Sequence, residues 1–106
     1  MAVYVLPDAQ QDLLELQQYM LTTWGESAWM KAEDEIFDKL DQVDRGTFHG
    51  MPLPELAAMG IHDYHTVLTS HHRLLYRRLQ GDLYVYLIAS HKQDFPTLWA
   101  RRLQRI

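Results

Sequence analysis

The 106-residue chain contains no cysteine. Disulfides, thiolate metal sites and cysteine nucleophiles are therefore excluded, which suits a reducing compartment. It also lacks any long apolar run. The longest, residues 83–89, is seven residues, far short of the ~20 needed to cross a bilayer. The first six residues carry neither the basic start nor the apolar stretch of a secretory signal. Positive charge is scarce in the first part of the chain. Residues 1–60 hold three Lys/Arg against eleven Asp/Glu, a net of −8. Residues 61–106 reverse this, with seven Lys/Arg (Arg105 among them) against three Asp/Glu, a net of +4. Five of the six histidines also lie there. A basic, His-rich segment inside a chain of net charge −4 is a candidate face for a polyanion or an acidic partner. The 47% hydrophobic and 23% charged content is that of a globular protein, and the length fits a single domain over residues 1–106. A cytoplasmic location is expected.

What is present reads as a sequence of short elements. Residues 2–6 form a β-prone first strand. Asp8, with Gln11 three residues on, reads as a helix N-cap. Ala9, Leu13, Leu16, Met20 and Trp24 then recur at intervals of four and three, one face of an amphipathic helix. Gly25 ends it. Ser27 reads as the cap of a second helix, whose stripe is Ala28, Ala32, Ile36, Leu40 and Val43. The short connection makes the two an antiparallel hairpin. Gly46, Gly50, Gly60, Pro52 and Pro54 mark a loop with one turn over 55–59. Three β-rich runs follow, over 62–69, 72–79 and 83–90, with Gln80-Gly81-Asp82 as a hairpin turn. Residues 83–89 are apolar on both faces, as a strand in mid-sheet would be. Asp94 and Pro96 start a short C-terminal helix running to Arg102. The fold class is α+β: an N-terminal strand and a two-helix antiparallel hairpin packed on a small, mostly antiparallel sheet, in the order β-α-α-β-β-β with a short terminal helix.

The chemistry-bearing residues cluster in the second part. Along the middle β-run, alternation puts Arg73, Leu75 and Arg77 on one face and Leu74, Tyr76 and Arg78 on the other. These arginines fit either phosphate or an acidic protein segment; the plain alternative is a solvated hairpin. His62, His65, His71, His72 and His91, with Asp63, offer metal-ligating nitrogen, but no helical His-Glu-x-x-His is present and His62 and His65 point to opposite faces. No metal and no cofactor is expected, and His71-His72 reads as exposed polar residues beside a turn. Trp99 sits at helical spacing from Leu103 and reads as a packing residue. The acidic residues Glu33, Asp34, Glu35, Asp38, Asp41 and Asp44 read as an exposed face opposite the apolar stripe.

Several local patterns resemble the RelE/ParE superfamily, the toxins of type II toxin–antitoxin systems. Ala9-x-x-Asp12-Leu13-x-x-Leu16-x-x-Tyr19 resembles the first-helix signature, and Trp24-Gly25-x-x-Ala28 the turn into the second helix. Pro54-Glu55-Leu56 with Gly60-Ile61 resembles the loop of the ParE branch. Arg73-Leu74-Leu75-Tyr76-Arg77 with Gly81-Asp82 resembles the most recognisable strand and hairpin. His91-Lys92-Gln93-Asp94 and Arg101-Arg102-Leu103 resemble the segments that close the domain. The chain departs from ParE-like relatives at His65 and at Lys92-Gln93-Asp94, where arginines are common. The resemblance favours the ParE branch and implies a toxin that arrests growth by inhibiting DNA gyrase, in plasmid or chromosomal stabilisation. A cognate antitoxin would neutralise it within a hetero-oligomer. The expected contact set is Arg73, Arg77, Arg78, Arg101 and Arg102, with Trp99. The alternative is a RelE- or YoeB-like endoribonuclease acting on messenger RNA at the ribosome. Its Glu55, Arg73 and His91 would serve as base, phosphate-binding cation and acid. A third possibility is a relative that has lost toxicity and only binds its partner. The modest positive excess favours a protein target, because RNA-gripping nucleases rely on many Lys/Arg phosphate contacts.

Overall fold

A computed structural model describes residues 2–104. Met1, Arg105 and Ile106 lie outside the described residues. The chain runs β1 (Val3–Val5), α1 (Pro7–Thr23), α2 (Glu26–Arg45), β2 (Met51–Pro52), α3 (Pro54–Ala58), β3 (Tyr64–Leu68), β4 (His72–Leu79), β5 (Asp82–Ser90) and α4 (Phe95–Leu103). The α+β class and the element order match the sequence reading.

The five strands make one sheet in the order β1-β5-β4-β3-β2. The strands from β2 to β5 are antiparallel to their neighbours, while β1 runs parallel to β5 with Val3 opposite Leu83. β5 therefore lies between two partners, which explains its apolar character on both faces. On one face the helical hairpin buries Ala9, Leu16, Met20, Ile36 and Leu40 against Leu74, Val85 and Ile88. On the other, α3 and α4 bring Leu56 and Phe95 onto Leu75, Leu87 and Ala89.

The alternation in β5 breaks once. Leu75 faces Leu87 but Tyr76 faces Val85, so Tyr86 has no partner on β4. This extra residue puts both Tyr86 and Leu87 on the α4 face, as a β-bulge does.

Four details differ from the sequence reading. Pro7 takes the first helical position and Leu6 the cap position, so Asp8 lies inside the first turn and is not the N-cap residue. Proline suits that position because its missing N–H would be unpaired there anyway. Ser27 likewise lies inside α2, whose N-cap is Gly25. Gly25 has φ +96° and donates its N–H to Met20 O, ending one helix and opening the next; only glycine takes such a backbone without strain. Trp24 belongs to the spacing of the α1 stripe but is 64% exposed, because the helix ends at Thr23. The run at 62–69 begins pairing only at Tyr64, and the two-residue β2 went unread.

At the C-terminal helix the reading held. Asp94 is the cap, its Oδ1 accepting from Thr97 N–H at 3.4 Å and its Oδ2 from Thr97 Oγ1 at 2.7 Å.

Candidate functional site

Most arginines of the expected contact set are held by the protein itself. Arg102 is anchored most firmly. It donates to both Asp12 oxygens at 2.9 Å and to Tyr86 O at 2.7 Å. β1 ends before this stretch of β5, so Ile88 N–H lacks a strand partner and donates to Asp12 Oδ2 at 3.0 Å instead. Asp12 and Arg102 thus complete the sheet edge where β1 stops. The Asp12 bonds raise the guanidinium pKa further, so Arg102 stays charged.

Arg78 donates to Val43 O at 2.8 Å and to Gly81 O at 3.1 Å, with Asp44 at 3.8 Å. It therefore caps the C-terminus of α2, where carbonyls lack partners and the dipole favours a cation. Arg77 donates to the Tyr64 hydroxyl at 3.0 Å, lies over that ring, and has Asp63 3.5 Å from its Nε. Arg73 lies over the Phe95 ring at 4.9 Å. Its Nε is buried without a hydrogen-bond partner. Arg101 is exposed on the last turn of α4, and Trp99 is half-buried at the margin of the α4 cluster.

Glu55, Arg73 and His91 are not joined by any hydrogen bond or ion pair among the described residues. Glu55 is exposed on α3. His91 places Nε2 2.9 Å from Thr69 O, the geometry of an imidazole donating to a carbonyl.

A concavity lies elsewhere, between α1 and the ends of β4 and β5. It is a cleft of about 530 Å³. Leu16, Tyr19, Met20 and Trp24 form its α1 wall; His71, His72 and His91 line the other side, with Lys92 beside them. His72 was read as exposed and is instead 1% exposed, since neighbouring strand residues alternate faces and His71 alone takes the solvent side. Burial pushes its pKa down to about 4, and the nearby His71 and His91 push the same way, while Glu35 opposes. The ring stays neutral at pH 7, and its buried Nδ1 has no hydrogen-bond partner.

The turn beneath the cleft is tied from several sides. Glu35 accepts from Ser70 N–H at 3.0 Å and from Ser70 Oγ at 2.8 Å. Those bonds hold its carboxyl below the usual range. It is thus turned onto the β3–β4 connection, not simply solvated with its acidic neighbours. Thr69 Oγ1 accepts from the N–H groups of His71 and His72. No group of three or more His, Asp or Glu side chains among the described residues is arranged to hold a metal ion, and no helix among them is long and apolar enough to cross a membrane.

A second concavity of about 490 Å³ lies at the C-terminus of α2, lined by Asp44, His49, Asp63, His65, Tyr76 and Arg78 among others. The Tyr76 hydroxyl accepts from Gly50 N–H at 3.0 Å there. His65 lines this concavity with Asp63 and stacks on Tyr76 at 5.7 Å.

The model of the ParE toxin of type II toxin–antitoxin systems, parDE, matches residues 3–95. The chain belongs to this family. No curated protein sequence matches it. Among solved structures, the fold is similar to a chain of the chromosomal ParDE system from P. aeruginosa. There the TM-score is 0.65 and identity 14%, covering 85% of this chain and 95% of the other. It is also similar to a chain of the YoeB–YefM complex from Staphylococcus aureus. That match has a TM-score of 0.54 and 19% identity, covering 84% and 94%. At such identities the two structures bear on the fold alone. The ParE assignment rests on the family match, which spans β1 through the start of α4 and so includes both walls of the cleft.

Proposed function

We propose that this ParE-family toxin arrests growth by inhibiting DNA gyrase and is neutralised by a cognate antitoxin in a hetero-oligomer. The observation that carries this reading is the fate of the basic residues. Arg77, Arg78 and Arg102 are each engaged by internal partners. Few cations remain for a polyanion, and a ribosome-dependent nuclease needs many phosphate contacts. A protein target needs fewer.

The rival, a YoeB-like nuclease using Glu55, Arg73 and His91, is supported by the presence of the three residue types in the corresponding segments. It is weakened by their separate engagements: base, cation and acid must converge on one phosphodiester. His91 Nε2, moreover, is occupied by Thr69 O.

Two assays decide between them. Purified toxin added to gyrase should inhibit supercoiling at micromolar concentration; its failure counts against the ParE reading. Cleavage of messenger RNA on translating ribosomes, present in wild type and lost in His91→Ala, would establish the nuclease instead.

A further inference from the structure

The cleft between α1 and the ends of β4 and β5 has features that the fold alone does not require. Tyr19 and Trp24 stand exposed at its mouth, over a wall of Leu16 and Met20. Large aromatics in the open beside apolar surface are a mark of a contact site. The volume, about 530 Å³, falls within the range that receives a ligand or an inserted side chain. His72 lines it while 1% exposed, and its Nδ1 lacks a hydrogen-bond partner.

The charges around the rim are asymmetric. Lys92 lies at the β5 end beside His91, and Glu15 lies on the α1 wall. A carboxylate is welcome at the first place and repelled at the second. A nucleic acid strand would set its phosphates against Glu15 with a single lysine to offset them. A peptide segment can place one acid at Lys92 and keep its other contacts apolar.

We propose that this cleft seats a segment of the antitoxin that carries an apolar side chain next to an Asp or Glu, a proposal that rests on the toxin–antitoxin reading above. The apolar side chain lies on Leu16 and Met20 between Tyr19 and Trp24. The acid pairs with Lys92. The segment packs over His72, which lines the cleft. Because His91 lines the same cleft, the seated segment also covers it.

The test uses the full chain and the purified antitoxin translated from the neighbouring reading frame, with affinity measured by calorimetry. Trp24→Ala and Lys92→Glu alter exposed positions and leave the core intact. Each should weaken binding at least tenfold. Met51→Ala, exposed at the far edge of the sheet, should bind within twofold of wild type. In ¹⁵N spectra of histidine-labelled toxin, the His72 Nδ1 resonance should move on complex formation. Antitoxin binding that is strong in wild type and unchanged within twofold in both cleft variants overturns the seat alone. An unmoved His72 resonance in the complex does the same. Wild type that does not bind the antitoxin at all overturns the toxin–antitoxin reading together with the seat. A single-stranded RNA oligonucleotide that binds wild type and fails to bind both Trp24→Ala and Lys92→Glu would replace the peptide as occupant.

Discussion

His72 is a neutral imidazole built into the end of β4, and it sets an acid limit on the fold. In the unfolded chain it titrates near the ordinary 6.5; in the fold its pKa falls to about 4. Between these values the unfolded chain binds more protons than the native one, so stability rises with pH across the window. The contribution is fully present above about pH 6.5 and is lost as pH falls toward 4. The full shift corresponds to about 3 kcal/mol, and about 2 kcal/mol of it is gone at pH 5. For a domain of this size, 2 kcal/mol lowers the melting temperature by roughly 10 °C. The assay is thermal unfolding by circular dichroism at pH 7, 6 and 5, comparing wild type with His72→Leu. Leucine fills the site without a titrating group, so the variant should lose about 2 kcal/mol less than wild type between pH 7 and 5. Carboxylates and the other histidines contribute to both proteins and cancel in the difference. Parallel pH profiles for the two proteins would refute the burial argument.

Three further outcomes follow from specific contacts. Arg102→Ala leaves Asp12 partly buried without its cation and opens the β5 edge at Tyr86. It should cost about 3 kcal/mol in urea unfolding, with Arg101→Ala as a near-neutral comparison. Gly50→Ala would place a Cβ 2.5 Å from Thr66 O and 2.7 Å from the Tyr76 hydroxyl. The forced displacement should destabilise by about 1–3 kcal/mol and free the Tyr76 hydroxyl, seen as faster exchange of the backbone amide at position 50 than in wild type. Gly25→Ala meets no atom within 4 Å but must adopt φ +96°; a loss of about 1 kcal/mol is expected from backbone strain alone, measured the same way.

The local periodicities made the two helices, the three long strands and the cap at Asp94 readable. Each depends on neighbours within a turn or a pleat. The misreadings have the same origin. Trp24 fits the α1 spacing, but spacing does not say where the last helical hydrogen bond falls. Asp8 is a good cap by type, yet Pro7 before it already supplied the competing signal for the first helical position. β2 is two residues long and contains a proline, too little for any pattern. His71 and His72 are adjacent and identical, and strand alternation says that one faces inward without saying which. The Asp12–Arg102 pair spans ninety positions. Nothing in either local sequence announces it, so Arg102 read as a free cation of the tail. The cleft itself was invisible, because it joins one flank of α1 to two strand ends that meet only in the folded chain.

The charge split along the chain takes on a different meaning once the contacts are known. The helical hairpin of the acidic first part packs over a sheet built mainly from the basic second part, and polar contacts cross between the two parts. Asp12 on α1 holds Arg102 on α4. Arg78 on β4 fastens the C-terminus of α2, near Asp44. Glu35 on α2 grips the β3–β4 turn through Ser70. Each of these contacts joins the two parts of the sequence, and each engages a charged side chain with an internal partner. The net of +4 in the second part therefore overstates what a polyanion would meet. Among the described residues of the second part, Lys92 and Arg101 remain exposed without such an anchor, and Arg73 keeps an unpaired Nε beside Phe95. Three dispersed cations are a poor match for a phosphate backbone, whose binding strength grows with the number of charges neutralised. They suit a protein segment that needs one acid correctly placed, which is why the arrangement of this ParE-family chain argues for recognition of protein partners.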